Sequence, residues 1–289
     1  MTCADASGAP PAPARPKHRR AWLLAALAGA LLVLVPAGRQ AWTQHSPHSR
    51  VLVGDSGALP VRALEITGRS ADIVVTPRAD AVVGYRAELG WSARPPVVEE
   101  SRLGDTLRLA ARCPGESADD GAGADGGDPD APGPGPGCDV RLAVTVPADI
   151  PVRVSAGSGR VDISGMAGPV DAAVDSGTLN LVGLRGALRA RAGSGALNAT
   201  GLTSAQADVA ADSGHALAAF LAPPDRVTAR VGSGGLDLAF PPATRFRVDA
   251  RAGSGTCEVA GTLRDPDSPH SLTVSAETGR AEARTTAPH

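Results

Sequence analysis

Residues 170–182 read VDAAVDSGTLNLV, and residues 188–200 read LRARAGSGALNAT. In both, apolar residues alternate with polar ones up to a Ser-Gly pair and alternate again after it. A period of two on either side of a tight turn describes two short strands. The pattern recurs around triplets ending at Gly159, Gly177, Gly195, Gly214, Gly234, Gly255 and Gly279, at spacings of 18, 18, 19, 20, 21 and 24 residues. The inward candidates before the turn run from Val152/Val154/Ala156 in the first unit to Leu272/Val274/Ala276 in the last. After it they run from Val161/Ile163 through Leu179/Leu181 and Cys257/Val259 to Ala281/Ala283, and all are apolar.

A unit this short cannot bury its own apolar face, so successive units must stack and share a narrow core. The expected fold is all-β: a β-solenoid-like stack of two-strand coils, each 18–24 residues long. A β-sandwich of antiparallel hairpins has the same period and is the alternative. Glycine at the turn is expected to supply positive φ. A second glycine column, Gly165, Gly183, Gly201 and Gly261, falls at the other corner. Phe220 and Phe240 replace it before Pro223-Pro224 and Pro241-Pro242, where they are expected to plug wider coils.

Upstream, Leu64, Ile66, Ser70-Ala71, Ile73 and Val75 make an earlier coil of the same kind. Three strand-like runs follow, at 81–91, 105–113 and 138–146, and are expected to cap that coil. Residues 114–137 hold eight Gly, five Pro and six acidic side chains, a composition that cannot bury apolar surface and predicts a disordered loop tip. Cys113 and Cys138 flank it at adjoining strand ends and are expected to form a disulfide. Cys3 is expected to be a free thiol and Cys257 a buried core residue.

At the N-terminus, residues 21–38 carry no charge and follow Arg15, Lys17, Arg19 and Arg20. That is the pattern of a membrane-inserted segment with a cytoplasmic N-terminus. Trp22 and Trp42 are spaced to rest at the two interfaces. A cleaved signal peptide ending near Val35-Pro36-Ala37 is the alternative, giving a secreted product. The expected organisation is a disordered cytoplasmic tail (1–20), a transmembrane helix or signal anchor (21–42) and a linker (43–60). A first coil with its capping strands (61–147), the repeat array (148–285) and a short tail (286–289) follow. On this reading the protein sits in the cell membrane by a single pass, with the C-terminal domain extracytoplasmic.

The Ser-Gly units, the segment Asp105-Thr106-Leu107-Arg108-Leu109 leading to Cys113, the strand from Cys138 to Pro147 and the closing stretch 266–274 resemble the bacterial "putative adhesin" domain of unknown function. The resemblance covers about residues 60–285. It implies a β-strand repeat ectodomain behind a membrane helix, and no catalytic residues. Ala71, where the turn usually has Gly, and the long acidic loop depart from the pattern.

Formal net charge is −2 with basic and acidic residues interspersed, which argues against a nucleic-acid partner. Gly54-Asp55-Ser56-Gly57 has the form of a serine-protease nucleophile signature. The same Asp-Ser-Gly recurs as a turn at 175–177 and 212–214, and a chymotrypsin-like order needs its His and Asp well before the Ser, whereas the only histidines before Ser56 are His18, His45 and His48. The acidic loop has neither Ca²⁺-binding spacing. Dispersed His residues form no metal or catalytic constellation, so neither an enzyme nor a cofactor is expected. The exposed column after the turn, Asp162, Asn180, Asn198, Leu217, Asp237, Glu258 and Glu282, is the candidate binding face, with Arg191, Arg230 and Arg251 on the other sheet. A further column six residues before each turn glycine, Arg153, Asp171, Arg189, Asp208, Thr228, Asp249 and Thr273, alternates in sign over its first four members. The expected function is a non-catalytic binding or adhesin-like module at the cell envelope, meeting a cell-wall polymer or another envelope protein. The alternative is a sensory or regulatory membrane protein signalling through a membrane partner.

Overall fold

The computed structural model describes residues 48–57, 60–92, 94–114 and 137–286. The expected membrane segment at 21–42, Cys3 and most of the acidic loop lie outside the described residues. Among the described residues twenty strands follow one another, from β1 (His48–Asp55) through β2 (Ala63–Arg78), β3 (Gly84–Trp91), β4 (Val97–Leu103), β5 (Thr106–Arg112) and β6 (Cys138–Pro147). The repeat units then each contribute two: β7 (Val152–Ser158) and β8 (Arg160–Ser164), β9 (Val170–Val174) and β10 (Thr178–Val182), β11 (Leu188–Ala192) and β12 (Ala196–Leu202), β13 (Gln206–Ala211) and β14 (His215–Phe220). The last units are β15 (Arg226–Val231) and β16 (Gly235–Phe240), β17 (Arg247–Ala252) and β18 (Thr256–Val259), and β19 (Ser271–Ala276) and β20 (Arg280–Thr285).

Strands before the turn pair in parallel with one another, as do strands after it, and residues one repeat apart stand opposite. Ala172 faces Ala190 in one ladder and Leu179 faces Leu197 in the other. The result is a stack of two-strand coils with a pre-turn and a post-turn sheet, which excludes the antiparallel sandwich. From 152 to 240 every inward residue named by the period of two is buried, including Val154, Ala172, Ala190, Val209, Leu181 and Leu238. The core is therefore a column of Ala, Val and Leu shared between coils, as the length of the unit requires.

The turn glycines are held by close approach, and positive φ is absent from most of them. The carbonyl oxygen of every turn glycine except Gly255, in the outermost coil, accepts a hydrogen bond from the coil stacked on it: Thr178 N–H to Gly159 O at 2.9 Å, Ala196 N–H to Gly177 O at 3.0 Å, His215 N–H to Gly195 O at 3.1 Å. This draws the turns together until a Cβ on Gly177, Gly195 or Gly214 would collide with the glycine carbonyl of the preceding coil. Positive φ belongs to the other corner, at Gly165, Gly183 and Gly201 with φ of 67°, 64° and 67°. Gly261, expected there too, lies in a short 3-10 turn, Gly261–Leu263. Phe220 and Phe240 are buried and stacked with centroids 5.1 Å apart, and Phe246 meets Phe240 edge-on at 4.8 Å, so all three phenylalanines form one ladder.

The order of coils in space differs from their order in sequence at both ends. β15 pairs with β19, and β19 with β17; likewise β16 pairs with β20, and β20 with β18. The last coil is thus inserted inside the one before it. At the other end, β2 runs unbroken through both sheets, pairing with β7 and β8 on one side and with β5 and β6 on the other. The runs at 105–113 and 138–146 are therefore a full coil and not a cap, and the first coil is inserted inside it. Capping falls to β4, antiparallel to β5, to β3, antiparallel to β6, and to β1, antiparallel to β3. Inserting the first and last coils gives each of their strands a neighbour on both sides, which suppresses fraying where the chain enters and leaves the array.

In the coil of β5 and β6 the Ser-Gly turn is replaced by the 114–137 excursion, closed at its base by a Cys113–Cys138 disulfide with Cα atoms 6.1 Å apart. That explains Ala71. A turn Cβ projects toward the preceding coil, and the coil preceding Ala71 has no Ser-Gly turn to meet it. Cys257, expected in the core, is only half-buried because its coil is outermost. Burial pushes its thiol pKa up, against a smaller lowering by Arg264.

Candidate functional site

Because the coils stack in register, every outward position becomes a column with neighbours about 4.8 Å apart. On the post-turn sheet, Asp162, Asn180, Asn198, Leu217 and Asp237 stand in successive rungs, followed by Glu282 and then Glu258, the last two in the reverse of their sequence order. The predicted stripe is thus one continuous column. Its polar groups largely satisfy one another. Asn180 Nδ2 donates to Asp162 Oδ1 at 2.7 Å and Asn198 Nδ2 to Asn180 Oδ1 at 3.2 Å. At the other end Arg280 Nη2 lies 3.3 Å from Glu258 Oε2 and 3.4 Å from Glu282 Oε2, and His215 Nε2 lies 3.0 Å from Asp237 Oδ2. Leu217 divides an amide half from an acidic half.

The pre-turn sheet carries a ladder of alternating charge. In stack order it reads Arg108, Glu65, Arg153, Asp171, Arg189, Asp208, Thr228, Thr273 and Asp249. Alternation therefore extends over six rungs, two more than the repeat array alone suggested, and Thr273 precedes Asp249. Glu65 lies six residues before Ala71, the same offset that marks the column elsewhere, so the signal for its membership was present in the sequence. Arg108 Nε is 2.8 Å from Glu65 Oε2, Arg153 Nη2 3.1 Å from Asp171 Oδ2, and Arg189 Nε 3.5 Å from Asp208 Oδ2. These pairs are exposed, so each contributes about 0–1 kcal/mol; what they determine best is register, since a slip by one rung sets like charges together. Beside the ladder an open groove of about 650 Å³ runs over Pro151, Pro169 and Ala187. Arg191 and Arg230 stand two rungs apart with Ala210 between them, and Arg251 lies two rungs beyond Arg230 across Ser275. Arg230 Nη1 pairs with Asp208 Oδ1 at 3.1 Å and Arg251 Nη2 with Asp249 Oδ2 at 2.8 Å.

Nothing in these columns converges as an acid, base and nucleophile must. Ser56, the serine of the protease-like tetrad, is buried, accepts from Val83 N–H at 3.1 Å and donates its own N–H to Val83 O at 2.8 Å. Asp55 Oδ1 accepts from Gly57 N–H at 2.8 Å, so the tetrad is a turn. His215 and His270 lie in different coils, the second 3.2 Å from Asp225 Oδ1, and His48 stacks on Trp91. Among the described residues no three His, Cys, Asp or Glu side chains are placed to hold a metal ion. A contact that sequence reasoning missed closes the N-terminal end: Tyr85 on β3 donates its hydroxyl to Glu100 Oε2 on β4 at 2.9 Å. Burial, then this hydrogen bond and the charge of Glu100, raise the Tyr85 pKa above its usual 10.0.

No family model matches the chain, and no curated protein is similar to it. Several solved structures align with much of the chain. A putative cell adhesion protein from Clostridium sporogenes is 11% identical, covers 83% of this chain and 100% of its own, and has a TM-score of 0.37. A putative adhesin from Bacteroides fragilis is 11% identical over 82% of this chain and 97% of its own, with a TM-score of 0.37. A putative lipid binding protein from Parabacteroides distasonis is 12% identical over 83% of this chain and 98% of its own, with a TM-score of 0.45.

Proposed function

We propose that the coil stack is a non-catalytic, adhesin-like binding module, carried outside the cell membrane by residues 21–42. Its partner would be an extended cell-wall polymer or another envelope protein, lying along the post-turn column Asp162, Asn180, Asn198, Asp237, Glu282 and Glu258. One observation carries this reading: the polar side chains of the sheet faces repeat rung by rung along the stack. They pair with their neighbours in the column and do not gather around a point. Such an array suits a ligand whose own polar groups repeat along its length, and solenoids commonly bind through extended faces of this kind.

The test is capture by the full chain in detergent, offered purified cell-wall material and solubilised membrane proteins separately. Retention on wall material, lost in Asn180→Arg/Asn198→Arg with the fold intact, is the expected result. Capture of a membrane protein instead would favour a sensory or regulatory role. Turnover of any substrate that depends on one side chain would overturn the proposal, as would capture indifferent both to this face and to charge reversal of Arg191, Arg230 and Arg251.

A further inference from the structure

The outermost coil, β17 and β18, is where the array stops with its core uncovered. Ala250 and Ala252 are exposed, and Val248, Cys257 and Val259 are only half-buried. One rung inside, Leu272, Val274, Ala276, Ala281 and Ala283 are all buried. Among the described residues β17 pairs only with β19 and β18 only with β20, so no strand pairs with their far side. The backbone is equally open. Arg247 N–H donates to His270 O at 2.9 Å and Gly253 N–H to Ala276 O at 2.8 Å. The odd-numbered residues of β17 are thus bonded toward β19, and Val248, Ala250 and Ala252 turn their N–H and C=O groups to the free side. At one end that edge is covered: Phe246 N–H donates to Leu263 O at 2.7 Å, and Asp265 N–H to Phe246 O at 2.9 Å. The open edge begins at Val248.

We propose that a second copy of this chain docks here, its β17 pairing antiparallel with the first about a two-fold axis through Ala250. Charge selects the occupant and the register. With the axis at Ala250, Asp249 stands opposite the partner's Arg251, and Arg251 opposite the partner's Asp249. Val248 and Ala252 then exchange backbone hydrogen bonds across the join. An axis at Arg251 sets arginine against arginine, and one at Asp249 sets aspartate against aspartate. An axis at Val248 restores opposite charges but needs the backbone of residue 246, which Leu263 and Asp265 already occupy. An axis at Ala252 loses the charge pairs. The paired coils would join their cores through the uncovered Val, Ala and Cys side chains, burying a face that a free coil leaves in water.

The experiment uses the full chain in detergent, in a Cys3→Ser/Cys257→Ser background that keeps the Cys113–Cys138 bond. In an antiparallel hydrogen-bonded pair the Cα atoms are about 5.5 Å apart, within disulfide reach. Ala250→Cys should therefore form an intermolecular disulfide on mild oxidation, and Thr228→Cys, two coils inward, should not. Arg251→Asp, at a side chain 76% exposed, should raise the dimer dissociation constant about tenfold or more by placing carboxylates in opposition. Asp249→Arg/Arg251→Asp should restore it, because the swap preserves complementarity. Circular dichroism separates loss of docking from loss of fold. The proposal is overturned by a monomer at all concentrations, by a dimer insensitive to Arg251→Asp, by a double swap no better than the single reversal, or by open-ended filaments, which would mean that the edge meets the opposite end of the stack.

Discussion

The two ends of the stack solve one problem differently. At the N-terminal end antiparallel strands are laid over the last parallel coil, and side chains lock the two sheets across the opening. Tyr85 on β3 reaches Glu100 on β4, and Arg102 Nη2 on β4 reaches Ser56 O, just beyond β1, at 2.6 Å. The Cys113–Cys138 bond holds the outer coil where it has no Ser-Gly turn. At the C-terminal end, among the described residues, only one corner is sealed, where Phe246 of the phenylalanine ladder bonds the Leu263 carbonyl, and the rest of β17 and β18 presents small apolar residues and free backbone. Both ends share the inserted terminal coil, so insertion by itself does not close a solenoid. Closure needs either strands that run the other way or a partner.

Substitutions that remove each closure in turn should reveal how unequal the ends are. The largest effect is expected at the C-terminal ladder. Phe240→Ala leaves Phe220 and Phe246 without their shared neighbour and should cost about 3–5 kcal/mol, measured by urea unfolding, with hydrogen-exchange protection lost first in β17 and β18. Loss confined to β5 and β6 would contradict the assignment. At the other end, Cys113→Ser/Cys138→Ser releases a loop with a sequence separation of 25 residues. The expected cost is about 3–4 kcal/mol in the chain-entropy model, with exchange rising in β5 and β6 while β15 to β20 keep their protection.

A third substitution tests what both ends share. Gly195→Ala places a methyl against the Gly177 carbonyl and should destabilise by about 1–3 kcal/mol through overpacking. Ala71→Gly, at the one turn already carrying a methyl, should change stability by less than half as much. Equal effects would mean that the turns are not held by close approach. The smallest effect belongs to Tyr85→Phe, about 0.5–1.5 kcal/mol from the lost hydrogen bond. Its pH dependence has a definite sign. The Tyr85 pKa in the folded state is raised above the unfolded 10.0, so its contribution is fully present below pH 10 and lost as pH rises through the folded value. Wild type should lose stability faster than Tyr85→Phe as pH rises above 10; parallel curves would show that the hydroxyl is not in this environment.

Cys257 shows how close a reading of residues can come and where it stops. Its position after the turn correctly placed it on the inward face, yet its burial depended on a neighbour that the next coil in sequence does not supply. The same holds for the stripe from Asp162 to Glu282: its membership was legible as a fixed offset from each turn, whereas the mutual hydrogen bonding of Asn180 with Asp162 and Asn198 required the register of the folded stack.

By itself the sequence determined the unit: two strands about a Ser-Gly turn, the inward alanines, valines and leucines, the plugging phenylalanines, and the cysteine pair at the base of the acidic loop. These are local properties, dictated by the period of two and by residues a few positions apart. Only the tertiary structure decided the order of the coils, the status of 106–147 as a coil of its own, and the coil left with an open edge. Parallel coils of one repeat present nearly the same backbone edge to any neighbour, so pattern cannot say which sits beside which. That choice is made by whole faces meeting, through charge alternation down a column and the need to give the strands of the array's first and last coils a partner on both sides.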